Sequence, residues 1–386
     1  MGEQGVPRSA EVVIIGGGVI GTSIAFHLAE AGVRDVVVVE RHDLGSGSTA
    51  KAAGGVRAQF GDELNIRLGA RSLEAFSRFA ERPGQEIDLQ RVGYLFLMSK
   101  AEDVAAFERS VALQNTLGVP SRMIDVAEAQ RRSPLIDPDG LVAASFSPDD
   151  GHCTPESVVL GYAIGARRLG AHLVTHCDVR GIEERTGEIA GVVTDRGRIA
   201  TRAVICAAGA WSARVGSMVG VDLPVVPYRR QVIVTEAVDG LPDAMPMTID
   251  FTTTFYFHRE GPGLLLGMSD PDQEPGFHLE RSDAWLPRLS EAIAARAPRI
   301  LDAGLTSGWA GLYEVTPDHN ALIGEAKSVS RFLYATGFSG HGFLQGPAVG
   351  EIIRDLYLER EPFADIAALD AGRFDNQRIR PETHLV

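Results

Sequence analysis

Gly16, Gly18 and Gly21 stand at G-x-G-x-x-G spacing, and Glu40 follows nineteen residues after the last of them. In such a run the first glycine permits a tight turn and the second lets a pyrophosphate approach the backbone. The third lets a helix pack closely on a strand. A carboxylate at Glu40 accepts from ribose hydroxyls and repels a 2′-phosphate. This spacing points to binding of an ADP moiety, with NAD and FAD both open. Further along, "FYFHRE" sets Tyr256 and His258 on one face of a strand, and His341 stands among glycines in "GFSGHGF". Cys153, Cys177 and Cys206 are too scattered for a disulfide framework or a zinc site. His27, His42, His172, His176 and His278 show no ligand spacing, so no metal centre is expected.

Particular elements must carry these residues. Residues 11–15, Glu-Val-Val-Ile-Ile, read as a buried strand rich in β-branched side chains. A helix from about Thr22 turns Ile24 and Leu28 inward and stops near Gly32. Its N-terminus offers free N–H groups and a positive dipole end to phosphate. A second strand, 36–39, delivers Glu40. Residues 41–63, "RHDLGSGSTAKAAGGVRAQFGDE", are glycine-rich and polar, and a long stretch of this kind inside a domain is usually functional. Asp62 then caps a helix with Leu64, Leu68, Phe76 and Phe79 on its buried side.

The pattern changes from about residue 91. "RVGYLFLMS" reads as a strand, and Ser99-Lys100-Ala101-Glu102 as a capping box opening a helix that ends near Gly118. A short capped helix stops at Pro134, and 141–147 form another strand. Thr154, Pro155 and Gly170 mark the N-cap, first position and C-terminal stop of a further helix. Strands follow in 172–185, 190–194 and 203–207, then alternating strands in 223–270 and 305–314. "PAVGEIIRDLYLER" reads as a last helix after a glycine-rich turn. The organisation is α/β (α+β): a nucleotide domain in three pieces, 1–85, 148–220 and 316–386. It is interleaved with a mostly antiparallel β-sheet domain, 86–147 and 221–315.

The 386 residues carry a net charge of −14, from 37 basic and 51 acidic side chains. No basic excess exists to attract a nucleic acid or an anionic membrane. No window approaches the roughly 20 apolar residues of a membrane span. A cytoplasmic protein with a small-molecule substrate is expected.

Four stretches taken in order carry a family resemblance. With the glycine fingerprint stand "GSGSTAKAAGGVRAQF" (45–60), "AVICAAGAWS" (203–212), "TPDHNALIG" (316–324) and "YATGFSGHGFLQGPAVGEII" (334–353). Together they resemble the D-amino-acid-oxidase-like FAD enzymes, nearest to the sarcosine oxidase, glycine oxidase and dye-linked L-proline dehydrogenase β-subunit group. The resemblance implies FAD held in a Rossmann-like domain. By it, Gly16, Gly18 and Gly21, with Val19 and Ile20, line the pyrophosphate, and Glu40 the adenosine ribose, with Arg41 beside it. Ser48, Thr49 and Gly54, with Ala53 and Gly55, reach phosphate or flavin, and Val179 gives backbone bonds to adenine. Ala207, Ala208, Gly209 and Trp211 pass close to the cofactor. Gly340, His341 and Gly342 approach the isoalloxazine, and Gly311, Gly337, Phe343 and Leu344 complete the set. A helix starting after Gly346 aims its positive end at the flavin's O2 carbonyl.

The same resemblance implies oxidation of a C–N bond, by hydride transfer to flavin N5, in a secondary amine or an N-methyl or cyclic amino acid. Arg57 matches an arginine that holds the substrate carboxylate in sarcosine oxidases, and a guanidinium fork suits that anion. Tyr256, His258, Tyr313 and Gln345 are the other pocket candidates. Sarcosine oxidases carry a lysine where Leu344 stands, and glycine oxidase an arginine near Tyr313. This chain has neither, which speaks against a substrate held by two cations. Some relatives attach flavin through a cysteine at the place of Gly311, so FAD is expected to be non-covalent. Residues 101–326 contain no lysine to promote reaction with O2 from the sheet, so a dye or protein acceptor is favoured over O2. The alternatives are oxidation of a primary D-amino acid, glycine or a 2-hydroxy acid, or a flavin-binding assembly factor or partner-dependent subunit.

Overall fold

The strand Val12–Ile15, buried along its whole length, lies inside a six-stranded sheet. The order is Leu322–Glu325, Phe332–Thr336, Val204–Cys206, Val12–Ile15, Val36–Val39 and His172–Val174. All pairings are parallel except the outermost, between Leu322–Glu325 and Phe332–Thr336. Parallel strands are covered on both faces, which is why "VVII" and "VVVV" run apolar without alternation. Val12, Ile14, Val36 and Val38 face one layer; Val13, Ile15, Val37 and Val39 face the other. The computed structural model in which these elements are seen describes residues 6–375, 379, 381 and 382, so the outer ends of segments 1–85 and 316–386 lie outside the described residues.

On the first layer the helix Val19–Glu30 packs between Pro155–Arg168 and Gly342–Tyr357. Ile24 and Leu28 are fully buried there. The second layer is a three-stranded antiparallel sheet, Val179–Arg185, Glu188–Thr194 and Gly197–Ala200, which packs Ile182, Ile189, Val192 and Ile199 beneath the first sheet. The sequence reading missed Gly197–Ala200 and took this meander for resumed βαβ alternation. Its strands form a sheet of their own.

The other main sheet has eight strands. The order is Leu305–Val315, Val226–Thr235, Gly263–Met268, Tyr256–Glu260, Met247–Asp250, Tyr94–Met98, Ala143–Ser147 and Arg122–Ile124. It is antiparallel except where Met247–Asp250 pairs parallel with Tyr94–Met98. One face packs Leu95, Leu97, Phe257 and Leu266 against the helix Leu286–Arg296. The opposite face carries Tyr94, Val232, Met247, Ile249 and Tyr256.

Helix boundaries depart from expectation at three places. The first helix begins at Val19, three residues before Thr22. The helix Ala101–Thr116 has Lys100 at its N-cap and no side-chain cap, so the capping box at Ser99 does not form. Ser99 Oγ accepts instead from Arg296 Nη2 at 3.3 Å. The last helix begins at Gly342 rather than after Gly346 and holds Pro347 in its second turn. Lacking an N–H, Pro347 cannot bond to the carbonyl four residues back. Asp62 does cap Glu63–Ser77, accepting from Leu64 N at 2.9 Å and Asn65 N at 3.4 Å. Among the described residues no helix is long and apolar enough to cross a membrane.

Candidate functional site

The turn after Val12–Ile15 admits only glycine at Gly16. Its φ is +111°, and a methyl built there would stand 2.3 Å from the Ala207 carbonyl oxygen. The helix then opens at Gly18 with no side-chain cap. Thr49, from the 41–63 segment, reaches this end and accepts from Val19 N at 3.1 Å. Glu40 braces the same turn, its two oxygens accepting from Gly17 N at 2.7 Å and His42 N at 2.8 Å. Beside it the Arg41 guanidinium lies 3.8 Å over the Trp211 ring.

The 41–63 segment is pinned between the two main sheets. Ser48 Oγ donates to Leu312 O at 2.7 Å, and Trp309 Nε1 to Lys51 O at 3.0 Å. Gly55–Val56 pairs with Gly151–His152 in a two-stranded ribbon. Asp150, fully buried, accepts from Ala58 N at 3.0 Å and Gln59 Nε2 at 3.4 Å. Burial pushes its carboxyl up to about 7. Arg57, 3% exposed, stacks 4.1 Å from the Phe60 ring. Its Nη1 donates to Gln59 O, and its Nη2 lies 3.2 Å from His341 Nε2.

These pieces enclose one cavity of about 450 Å³. Its walls include Gly16, Gly18, Val19, Ile20, Glu40, Arg41, Ser48, Thr49, Val179 and Trp211. Ala53–Gly55, Arg57, Ala207–Gly209, Gly311 and Gly340–Leu344 line it too. Against the eight-stranded sheet it is closed by Tyr94, Arg230, Val232, Met247, Ile249, Tyr256 and Tyr313. Glycines make room for these phenols. A methyl on Gly267 would stand 2.2 Å from the Tyr256 ring, one on Gly55 1.8 Å from Tyr94 Oη, and one on Gly340 2.5 Å from the Tyr313 ring. Burial raises the pKa of all three phenols, which keeps them protonated as hydrogen-bond donors.

Four expected residues lie elsewhere. Gly21 does not line the cavity; a methyl on it would stand 1.9 Å from Gly16 O, so it serves the packing of helix on turn. Gly337 is likewise a packing glycine, with Thr316 Cγ2 2.5 Å from where its methyl would be. Gln345 points behind the cavity, donating to Asn65 Oδ1 at 3.1 Å. His258 shares a strand face with Tyr256 but lines an adjoining cavity, stacked on His152 at 4.3 Å. Its Nε2 lies 3.0 Å from Ala53 O, so it supports the 41–63 segment from behind.

Tyr94, Met247, Arg230 and Glu314 line the cavity and were not anticipated. The period-two set Tyr228, Arg230 and Val232 was a usable signal for Arg230, a cation that lines the cavity with its Cζ 5.1 Å from the Tyr313 ring centroid. Glu314 accepts from Phe338 N at 3.3 Å and Thr336 Oγ1 at 3.4 Å. No motif marked it.

The residues present fit FAD. The Gly16 turn and the helix start at Gly18, which has no side chain of its own, form a cradle that a Cβ would fill, Arg41 and Val179 stand near it, and the phenol-lined chamber opens from the same cavity. A family model described as FAD dependent oxidoreductase matches residues 11–356. The chain is 30% identical over 385 residues to the mitochondrial dimethylglycine dehydrogenase of Rattus norvegicus, covering 95% of this chain and 45% of that protein. It thus spans less than half the length of that curated relative. Among solved structures, L-proline dehydrogenase from P. horikoshii aligns with a TM-score of 0.91 at 33% identity, covering 97% of this chain and 100% of the other. Glycine oxidase from Geobacillus kaustophilus aligns with a TM-score of 0.84 at 27% identity, covering 95% and 99%.

Proposed function

The chain belongs to the FAD-dependent oxidoreductase family, and on that premise we propose that it oxidises the C–N bond of a secondary amine, an N-methyl amino acid or a cyclic amino acid. The observation that carries this reading is the chamber, in which Val232, Met247 and Ile249 alternate with three protonated phenols and a cation. Bound FAD supplies the hydride acceptor. The apolar walls exclude water and disfavour an ammonium, so a bound amine is held neutral with its lone pair free. Tyr94, Tyr256 and Tyr313 donate hydrogen bonds that orient the substrate. The names of the relatives, a dimethylglycine dehydrogenase and an L-proline dehydrogenase, agree with an N-methyl or cyclic substrate.

The test is anaerobic reduction of the purified yellow protein by a panel of amines. Bleaching by sarcosine, dimethylglycine or L-proline is expected. Bleaching only by glycine, D-alanine or a 2-hydroxy acid overturns the substrate class, and bleaching by none overturns the enzymatic reading. FAD is held without a covalent bond, because Gly311 has no side chain to attach it and no cysteine follows Cys206. Flavin should therefore leave with the supernatant when the chain is precipitated by acid. The electron acceptor is O2, a dye or a protein carrier. Stopped-flow reoxidation in air-saturated buffer, compared with turnover on a dye, separates them.

A further inference from the structure

Two pieces of the cavity wall meet through aromatic rings. Trp211 stands in the turn after the strand Val204–Cys206 of the six-stranded sheet. Phe277 stands in the segment 269–282, which leaves the eight-stranded sheet after Gly263–Met268. The two rings are stacked, with centroids 5.3 Å apart and planes 27° from parallel. Each also carries a guanidinium. Arg41 Cζ lies 3.8 Å from the Trp211 centroid, and Arg214 Cζ 4.1 Å from the Phe277 centroid. Stacked rings, and cations over ring faces, attract without any charged partner. Arg41, Trp211, Phe277 and Arg214 thus tie the residues around one sheet to a segment of the other.

The base of that segment is fixed on its own side. Gly276 N donates to Pro227 O at 2.8 Å, and Ser282 N to Gln231 Oε1 at 2.7 Å. Arg229 donates from Nε to Gln273 Oε1 at 2.8 Å and from Nη1 to Glu280 O at 3.0 Å. Pro227, Arg229 and Gln231 alternate along the strand Val226–Thr235 with Arg230 and Val232, which line the cavity. The strand therefore carries the segment on one face and a cavity wall on the other. Two residues beyond Phe277, Leu279 lines the cavity and is 55% exposed, so the rim of the cavity passes it. An apolar side chain at a rim loses water when a ligand lies beneath it.

We infer that the segment 269–282 is a latch on the cofactor site. Leu279 covers the end of the cavity beside Arg41 and Trp211, where the adenosine of FAD is held, and the Phe277–Trp211 stack keeps the cover shut. FAD enters and leaves when the stack parts. The inference concerns the cofactor alone and holds whichever substrate reduces the flavin.

A cover that must open slows passage in both directions, whereas a side chain that only touches bound FAD slows exit alone. The test measures both rates on the full chain. Release is read by diluting the holoenzyme and collecting free flavin through a membrane filter at timed intervals. Entry is read by mixing full-length apoprotein with FAD and following the quenching of protein fluorescence. Phe277→Ala should speed release roughly 5- to 70-fold, as for a lost aromatic stack with a cation on it, and should speed entry as well. Phe277→Tyr, which keeps the ring, should stay close to wild type. Arg214 is exposed, so Arg214→Ala leaves the core intact; it should speed both rates about 2- to 5-fold. It carries the comparison if Phe277→Ala does not fold. Wild-type rates in the folded variants overturn the latch, and so does faster release with entry unchanged. A holoenzyme reduced by no amine fails the functional proposal alone, since both rates are read without substrate.

Discussion

Arg57 and Asp150 are nearly a hundred positions apart in sequence and lie under the same short loop. Arg57 joins Gln59 to His341, so Arg57→Ala should loosen a wall of the cofactor cavity. The expected outcome is a Kd for FAD raised about tenfold or more, with substrate KM at saturating FAD close to wild type. Equilibrium dialysis against FAD and steady-state kinetics check the two halves. Asp150 gives a pH signature. Its carboxyl sits at about 7 in the folded protein, above the ordinary carboxylate value. Folding therefore gains stability from the protonated form at low pH, and loses it as pH rises from about 4 to about 7. Asp150→Asn should flatten that loss, gaining on wild type across this window by on the order of a few kcal/mol and holding the gain above it. Melting temperatures of both proteins across the window measure it. Neither role was legible in sequence. His341, one partner of Arg57, is 284 positions away, and Asp150 accepts from a backbone N–H, which leaves no mark on residue type, and from Gln59, 91 positions away.

Strands and turns were more readable than the side chains they hold. "VVII" and "VVVV" announce parallel strands because burial on both faces removes alternation, and both lie inside the sheet. The glycine spacing announced the turn for an equally physical reason, since Gly16 has a positive φ and a carbonyl against it. Gly16→Ala should give a chain that loses FAD and folds poorly, by roughly 3 kcal/mol or more from strain and clash combined; denaturant melts and flavin content report both. Gly267→Ala acts on the other sheet. Its methyl would displace the Tyr256 ring from the chamber, so FAD content should be unchanged while substrate KM rises about tenfold. Period two correctly put Tyr256 and His258 on one face, yet they serve different cavities, because the 41–63 segment crosses the face between them. Helix starts were the least readable. Pro347 invites a first-turn reading, whereas the helix begins five residues before it.

Across the whole molecule, each main sheet is assembled from distant stretches of chain. The six-stranded sheet draws on residues 12–39, 172–206 and 322–336, and the eight-stranded sheet on 94–147 and 226–315. The composition shifts near residues 91 and 223 were visible in the sequence, but the pairing of Tyr94–Met98 with Met247–Asp250 was not, since no local signal sets partners so far apart. Near the C-terminus, Glu382 is buried and accepts from Gly61 N at 3.2 Å and Asn65 Nδ2 at 3.0 Å. Glu382→Ala should lower stability by about 1–3 kcal/mol, read from urea melts of the holoenzyme. The interleaving also bears on how the chain is made. Val204–Cys206 pairs with Phe332–Thr336, so the inner sheet cannot close until the chain as far as Thr336 has left the ribosome. At about 5–20 residues per second, the interval from Gly16 to Thr336 lasts roughly 16–64 s. Throughout it the nascent chain carries valine-rich strands with open edges, the surface on which chains aggregate. Slower growth at low temperature and a generous supply of chaperone should raise the yield of folded protein more than any change to its finished surface.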